Sequence, residues 1–302
     1  MKMLMAALLL ALAAWLLWTP DMDRATLERR YLADPADMMM MQGINLHVRD
    51  TGPRNAPAVL MVHGMGGSLH SWEPWAQAMA PELRVIRLDL PGSGLSSPDP
   101  TGDYSDQRSI DVILALMDHL QLEKASVVGH SIGGRMAWRL AATHPERVNK
   151  LVLVAPDGFA SPGFEYAKPV DVPSVLQLMR YALPKWLLRM NLKPAYANDS
   201  AMTDERITRY YELMLAPGAR EALIKRMQQT MLTDPLPLLI RITAPTLLVW
   251  GKQDAMIPFS NAANYTSAIA GSQLVALDGV GHLPQEEAAE ASLPAVKAFL
   301  LQ

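Results

Sequence analysis

The chain contains no cysteine among its 302 residues, and this absence removes several chemistries at once. Disulfides, thiolate metal sites and cysteine nucleophiles are all excluded. No pair of histidines or carboxylates is spaced like the metal ligands of a motif such as H-E-x-x-H. The 27 basic and 30 acidic residues give a net charge of −3, without a run of one sign. Because no basic stripe could neutralise phosphates, the composition argues against nucleic acid as a partner.

Long apolar runs are also scarce, and the one that is present lies at the amino terminus. Every residue from Met3 to Trp18 is apolar. At about 16 residues, the run is just below the usual membrane-spanning length of roughly 17–25 and within reach of a signal-peptide core. No well-placed cleavage site follows it. We therefore predict an N-terminal hydrophobic helix that anchors the protein in a membrane, with secretion after signal cleavage as the alternative.

The residues around this run are predicted to form a short linker. Thr19 and Pro20 fit the N-cap and first position of a polar helix over Asp21–Tyr31, so residues 1–33 hold the anchor or signal helix and a linker helix. Basic residues flank the run on both sides and give opposing indications of orientation. We favour an arrangement with the rest of the chain on the periplasmic or outer side.

Beyond Asp34, short apolar runs predict strands that alternate with helices. The predicted strands are Met38–Met41, Ile44–Arg49, Ala58–Val62, Arg84–Leu88, Ser126–Val128, Leu151–Ala155, Thr246–Trp250 and Gln273–Leu277. The predicted helices are Ser71–Ala80, Asp106–Leu120, Arg135–Ala142 and Glu286–Leu301. This alternation is typical of an α/β protein with a mostly parallel central sheet and helices on both faces.

The alternation stops between Asp157 and Arg241. That segment is rich in proline and contains helical patches such as Val175–Leu183 and Asp204–Leu215, but no convincing strand. We therefore predict a core in two parts, residues 34–157 and 241–302, with a helical cap over residues 158–240. The cap would cover the carboxyl ends of the strands, where open α/β sheets bind ligands.

A candidate nucleophile lies in the sequence Gly129-His130-Ser131-Ile132-Gly133. It fits the G-x-S-x-G pattern of a sharp strand-to-helix turn that exposes a serine, and it follows a predicted strand and precedes a predicted helix. In such a turn a Cβ at Gly129 or Gly133 would clash with neighbouring backbone. The same five residues also fit an ordinary loop with an N-capping serine.

A serine hydroxyl needs a base and a carboxylate that orients the base. Asp254 follows the predicted strand Thr246–Trp250, and His282 follows the predicted strand at 273–277, in the chain order serine, acid, histidine. Asp157 and Asp278 also follow strands and are alternative acids, although Asp278 fits a turn better. We predict Ser131, Asp254 and His282 as the catalytic residues.

The third requirement is a site for the oxyanion that forms during acyl transfer. His63-Gly64-Met65-Gly66-Gly67 follows a predicted buried strand, and its glycine-rich backbone leaves amide groups free. We predict that the N–H groups of Met65 and Ile132 form the oxyanion hole. These donors are backbone atoms, so the methionine side chain is incidental to the charge.

Five ordered motifs together resemble the α/β-hydrolase superfamily, in particular its cap-bearing serine esterases and related hydrolases. They are HGMGGS (63–68), DLPGSGLS (89–96), GHSIGG (129–134), WGKQDAMIP (250–258) and GVGHLPQEE (279–287). The resemblance covers roughly residues 38–302. In the family, the turn that begins at Asp89 is mainly architectural. Epoxide hydrolases and haloalkane dehalogenases of this superfamily use an aspartate nucleophile, so Ser131 speaks against both.

The resemblance implies a serine hydrolase that needs no cofactor and acts through an acyl-enzyme. The apolar cap and the membrane anchor predict that its substrate is a small hydrophobic carboxylic ester. One alternative is a hydrolase of a C–C bond in a vinylogous diketone acid. That family typically has a proline in its glycine loop, which is lacking here, and a basic cap residue, for which Lys168, Lys185 or Arg189 could serve. The other alternative is a non-catalytic binding protein at the membrane. Such proteins usually lack a triad member, and none is missing here.

Overall fold

Eight strands form one sheet at the centre of the computed structural model, which describes residue 5, residues 16–160 and residues 165–302. The strands are β1 (Met38–Met41), β2 (Ile44–Thr51), β3 (Ala58–Val62), β4 (Arg84–Leu88), β5 (Ala125–His130), β6 (Val148–Val154), β7 (Thr246–Gly251) and β8 (Gln273–Leu277). Their order is β1-β2-β4-β3-β5-β6-β7-β8. β2 is antiparallel to β1 and β4, and the remaining pairs are parallel. The predicted mostly parallel sheet is confirmed.

Helices cover both faces of this sheet. The helices of the described chain, including those that do not pack on the sheet, are α1 (Arg24–Tyr31), α2 (Glu73–Met79), α3 (Asp106–His119), α4 (Ile132–Thr143), α5 (Lys185–Leu192), α6 (Asp204–Met214), α7 (Ala219–Gln229), α8 (Leu236–Leu239), α9 (Asn261–Ala268), α10 (Pro284–Glu287) and α11 (Ala289–Leu301). Alternate residues of β3 enter two separate cores, as the period of two in a strand requires. Leu60 and Val62 share a core with residues of α3, α4 and α9, whereas Val59 and Met61 share one with α2 and α11.

The segment between β6 and β7 is helical where the structure describes it. Besides α5 to α8 it contains 3₁₀ turns and two isolated β-bridges, and none of the eight strands of the sheet. The helix predicted over Val175–Leu183 is a 3₁₀ helix over Ser174–Arg180, which follows Pro173. We call residues 158–240 the cap segment, following the predicted division of the chain.

The linker helix is shorter than predicted. The sequence predicts a helix over Asp21–Tyr31, but α1 begins at Arg24. The Asp23 carboxylate accepts a hydrogen bond from the Thr26 amide at 3.0 Å and so caps the helix there. The hydroxyl of Thr19, the predicted cap, is bonded to backbone groups at positions 17 and 183 instead.

One further predicted helix is interrupted in the structure, and another lies largely outside the described residues. The closing helix predicted over Glu286–Leu301 is divided into α10 and α11, because Ala288 has a non-helical backbone (φ −138°, ψ 47°). Most of the hydrophobic helix predicted over Met3–Trp18 lies outside the described residues. Within the part of the chain that the structure describes, no helix combines the length and apolar character needed to cross a bilayer.

Candidate active site

Ser131 lies on a strained turn between β5 and α4. Its backbone angles, φ 54° and ψ −121°, are unusual for a residue other than glycine and cost about 1–3 kcal/mol. A Cβ on Gly129 would lie 2.3 Å from the Gly133 carbonyl oxygen, and a Cβ on Gly133 would lie 2.4 Å from that of Val62. Both glycines are therefore required sterically, and the predicted strand–turn–helix is present.

His282 and Asp254 are brought together by neighbouring parallel strands. Asp254 follows β7 and His282 follows β8, so both loops lie at the same edge of the sheet. The Nδ1–H of His282 donates to Oδ2 of Asp254 at 2.7 Å. Oδ1 of the same carboxylate accepts the backbone N–H groups of Met256 and Ile257, each at 2.8 Å. The fully buried carboxylate thus fixes the histidine tautomer and leaves Nε2 free of this contact.

Ser131 and His282 line the same cavity, which has a volume of about 70 Å³. The other lining residues are Gly64, Met65, Gly67, Ser71, His130, Leu192, Ala195, Tyr210, Met256 and Leu283. Among the described residues that line it there is no lysine, arginine, aspartate or glutamate. Ligand pockets usually measure about 300–1,000 Å³, so this cavity is small for a ligand site, and the exposed side chains of Met65 and Met256 are among its walls. Leu192, Ala195 and Tyr210 of the cap segment are among those walls.

The alternative acids lie elsewhere. Asp157 forms an ion pair with the buried Arg135, on the first turns of α4. Asp278 has an exposed side chain and pairs with Lys252 at 2.9 Å. Of the three candidate acids, Asp254 is the one that contacts His282.

The three basic cap residues named as possible carboxylate ligands also lie outside this cavity. Lys168 pairs with Glu165, Lys185 donates to the Thr208 hydroxyl at 2.7 Å, and Arg189 pairs with Asp204 at 2.8 Å. All three side chains are exposed, and none of them lines the space next to Ser131.

The predicted oxyanion donors border the serine. Ile132 is the first residue of α4, where an amide has no acceptor within its own helix. Met65 lines the cavity, and the preceding Gly64 approaches the nucleophile closely, since a Cβ on it would lie 3.1 Å from the Ser131 Cβ. The role of the two amides stays a prediction.

Sequence reasoning did not single out His130, which contacts the backbone of His282 directly. Its Nε2 lies 2.8 Å from the carbonyl oxygen of His282, so this nitrogen carries the proton. The two imidazole centroids are 4.6 Å apart. Burial, together with the nearby His282, lowers the pKa of His130 well below its usual value, so the ring stays neutral. Its position beside Ser131 was the available signal, but its burial is not visible in the sequence.

Comparison with known proteins identifies the family. Residues 57–289 match the family described as having the alpha/beta hydrolase fold, so the chain belongs to the α/β-hydrolases and is a hydrolase. The resemblance predicted from the five motifs is confirmed.

Individual relatives differ in what they act on. The chain is 32% identical to the dihydrolipoyllysine-residue acetyltransferase component of an acetoin cleaving system from Pseudomonas putida, over 83% of this chain and 65% of that protein. It is 30% identical to a 2-hydroxy-6-oxononadienedioate/2-hydroxy-6-oxononatrienedioate hydrolase of Cupriavidus pinatubonensis, over 84% of this chain and 90% of that protein. Several further relatives are named as hydrolases of similar 2-hydroxy-6-oxo compounds. Among solved structures, the enol-lactonase from Burkholderia xenovorans LB400 matches with a TM-score of 0.76 and 26% identity, over 88% of this chain and 100% of that one.

Proposed function

We propose that this protein is a serine hydrolase that cleaves an ester of a hydrophobic carboxylic acid. The observation that carries the proposal is the cavity shared by Ser131 and His282, the second of which is bonded to the buried Asp254. A serine beside a histidine that a carboxylate orients is the arrangement that activates a hydroxyl for acyl transfer. The uncharged lining suits an apolar acyl group.

In this proposal, Ser131 Oγ attacks the ester carbonyl while Nε2 of His282 takes its proton. The C–O bond then breaks as His282 gives that proton to the leaving alcohol. A water molecule, deprotonated by His282, attacks the acyl-enzyme and releases the acid. Asp254 holds the Nδ1–H tautomer and stabilises the imidazolium. The N–H groups of Met65 and Ile132 bind the oxyanion, and losing one donor would cost about 10²–10³ in rate.

Hydrolysis of a C–C bond in a vinylogous diketone acid is the second candidate. The names of the curated relatives favour it over ester hydrolysis, because one relative that is 30% identical is named as a hydrolase of 2-hydroxy-6-oxononadienedioate and another as a hydrolase of 2-hydroxymuconate semialdehyde. The cavity favours the ester, since no cation lines it among the described residues and an acidic substrate would need one. An enol-lactone is a cyclic ester, so the structural match with an enol-lactonase is compatible with the first candidate.

Side-by-side kinetics separate the two reactions. The full-length protein in a non-ionic detergent is given p-nitrophenyl esters of increasing acyl length and, separately, a 2-hydroxy-6-oxo dienoic acid. We expect the larger kcat/KM for an ester, and a reversed order would assign the C–C reaction. Ser131→Ala should lose about 10⁴-fold or more in kcat with either substrate. Equal turnover by both proteins would refute the role of Ser131.

Covalent labelling tests the same site without a choice of substrate. A fluorophosphonate probe should modify the wild-type protein at Ser131 and leave Ser131→Ala unmodified, because the probe reports an activated serine. If the wild-type protein were not labelled, the non-catalytic alternative would replace the proposed enzyme.

We further propose that residues 3–18 anchor the protein in a membrane with the catalytic part on the periplasmic or outer side. Secretion after cleavage is the alternative. Support comes from the apolar run and its terminal tryptophan, whose ring stacks on Tyr181 of the cap segment with centroids 5.9 Å apart. If the anchor is present, the protein should stay in the membrane during alkaline extraction, and mass spectrometry should find its amino terminus uncleaved. If the catalytic part lies on the periplasmic or outer side, protease added to intact cells should digest it. Release of a shortened protein by alkali would favour secretion.

A further inference from the structure

A buried glutamate, Glu286, connects the cap segment to the helix that follows His282. Its side chain is 2% exposed. Oε1 accepts hydrogen bonds from the Arg209 guanidinium at 2.6 Å and from the Tyr210 hydroxyl at 3.2 Å. Oε2 accepts one from the Tyr196 hydroxyl at 3.0 Å. All three donors belong to the cap segment, and the proposed reaction uses none of these four side chains.

Backbone contacts reinforce this connection beside the candidate catalytic histidine. The amide of His282 donates to the carbonyl oxygen of Ala195 at 2.8 Å, so the cap segment holds the backbone of the histidine itself. The Glu287 carboxylate accepts the amide of Gly281 at 2.7 Å and that of Asn198, in the cap segment, at 2.6 Å. The position of His282 therefore depends on where this part of the cap segment lies.

The same contacts would break if this part of the cap segment lifted to enlarge the cavity. Ala195 and Tyr210 are walls of the cavity, whose volume of about 70 Å³ is small for a substrate. We call the arrangement with these contacts intact the closed one. Lifting this part of the cap segment would remove the donors from a buried carboxylate, which is costly. Burial and the charge of Glu286 raise the pKa values of Tyr196 and Tyr210, so both hydroxyls remain donors. The closed arrangement is thus the one in which Glu286 is fully bonded.

We infer that Glu286 is a positioning residue that couples closure of the cap segment to the placement of His282 against Ser131. The inference rests on the proposed serine hydrolase function and extends it to the control of the same site. Glu286 touches neither the cavity nor the reacting atoms, and it acts through the cap side chains and the histidine loop. Catalysis is then efficient only while the cap segment is closed.

The first test is the turnover of Glu286→Gln. The neutral amide keeps the shape but loses the ion pair with Arg209, so we expect kcat to fall about tenfold. Sites are counted with the fluorophosphonate probe, so loss of folded protein does not imitate the effect. A change in kcat that exceeds the change in KM marks an interaction needed for the reacting geometry. Glu290→Gln is the matched control, since Glu290 is exposed on α11 and carries the same charge; its kcat should equal that of the wild type.

The second test measures opening directly. Because the chain has no cysteine, Ala195→Cys would introduce its only thiol, at a residue that is 2% exposed on the cavity wall. Labelling of this thiol by a disulfide reagent requires the cap segment to open. In this background, Glu286→Gln should raise the labelling rate about tenfold. Arg209→Gln should have the same effect, and combining the two should add little more, because they remove one interaction.

The outcomes are distinguishable. If the wild type reacts with neither the probe nor any substrate, the proposed function fails. If the wild type is active and Glu286→Gln retains its kcat, or loses kcat without faster labelling, the coupling is overturned. Should Glu286→Gln not fold, Tyr196→Phe removes one donor only and should shift both measurements about threefold in the same directions.

Discussion

The molecule contains two buried histidine–aspartate pairs that are nearly identical in their first contacts. Nδ1 of His47 lies 2.7 Å from Oδ2 of Asp89, and Nδ1 of His282 lies 2.7 Å from Oδ2 of Asp254. Both carboxylates are completely buried, and each also accepts two backbone N–H groups. The pairing of a histidine with an aspartate therefore does not by itself define a catalytic site.

The two rings differ in what lies beyond them. The ring of His282 borders a cavity that also contains Ser131. His47 is fully buried, its ring lies 5.9 Å from that of His70, and its Nε2 has no hydrogen-bond partner among the described residues. Among the described residues, His282 thus shares a cavity with the hydroxyl of Ser131, whereas no hydroxyl bonds to Nε2 of His47.

The two carboxylates also differ in how their oxygens are used. At Asp254 both backbone donors bond to Oδ1, so Oδ2 serves the histidine alone. At Asp89 the amide of Leu69 bonds to Oδ1 and the amide of Leu95 bonds to Oδ2. An asparagine therefore fits at 254, with its NH₂ toward the histidine, but at 89 its NH₂ would face a backbone N–H. One carboxylate orients a ring, and the other holds the turn after β4.

Asparagine substitution at the two positions should separate turnover most strongly. In Asp254→Asn the amide donates to Nδ1 of His282, so Nε2 becomes protonated and cannot accept the serine proton. We expect kcat per probe-titrated site to fall about 10⁴-fold, equivalent to about 5.5 kcal/mol. Asp89→Asn should stay within about threefold of the wild type. Similar losses in both variants would show that the two pairs do not differ in role.

Stability should respond in the opposite order. Asp89→Asn places an NH₂ group against a backbone donor in a buried site and removes the charge beside His47. We expect the free energy of unfolding in urea to fall by about 3 kcal/mol. Asp254→Asn keeps the Oδ1 contacts and should lose less than half of that. An equally unstable Asp254→Asn would contradict this reading of the oxygen contacts.

The pH dependence of stability should report the second pair. Burial alone would raise the pKa of Asp89, but the charge and hydrogen bond of His47 and the charges of His63 and His70 lower it to about 2, from a usual value of 3.8. Since the folded state has the lower pKa, the carboxylate stabilises it above about pH 4 and loses this contribution as the pH falls to about 2. Over that interval the wild type should lose about 2 kcal/mol more than Asp89→Asn in urea unfolding. If the free energies of unfolding of the two proteins fell in parallel with pH, a group other than Asp89 would cause the acid sensitivity.

The sheet was predictable because its signals are local. Ala58–Val62, Arg84–Leu88 and Gln273–Leu277 have the predicted bounds, since short apolar runs between turns are typical of buried parallel strands. The start of α1 could not be predicted in this way, because the hydroxyl of Thr19 accepts a hydrogen bond from the amide of Leu183, which lies far along the chain. Bounds in the cap segment depend on such distant contacts.

The site shows the same division. The loops of Ser131, Asp254 and His282 could be placed because each follows a predicted strand, and parallel strands end at one edge of the sheet. Glu286 could not be singled out, because an acidic pair beside a histidine has no pattern that distinguishes a buried carboxylate from an exposed one. Its three donors lie between 76 and 90 residues away in the sequence.

The smallest predicted effect concerns His130, whose ring donates a hydrogen bond to the backbone carbonyl of His282, whereas the carbonyl of His47 accepts one from the backbone amide of Asp89. Leucine at 130 would leave the His282 carbonyl without its buried donor, so kcat should fall about tenfold. Glutamine can present an N–H group at a similar position and should stay within about threefold of the wild type. Both are measured per titrated site. Because the His130 ring is neutral, neither variant should move the pH at which activity is half-maximal. A glutamine variant as slow as the leucine variant would show that packing of the ring, and not its hydrogen bond, holds His282 in place.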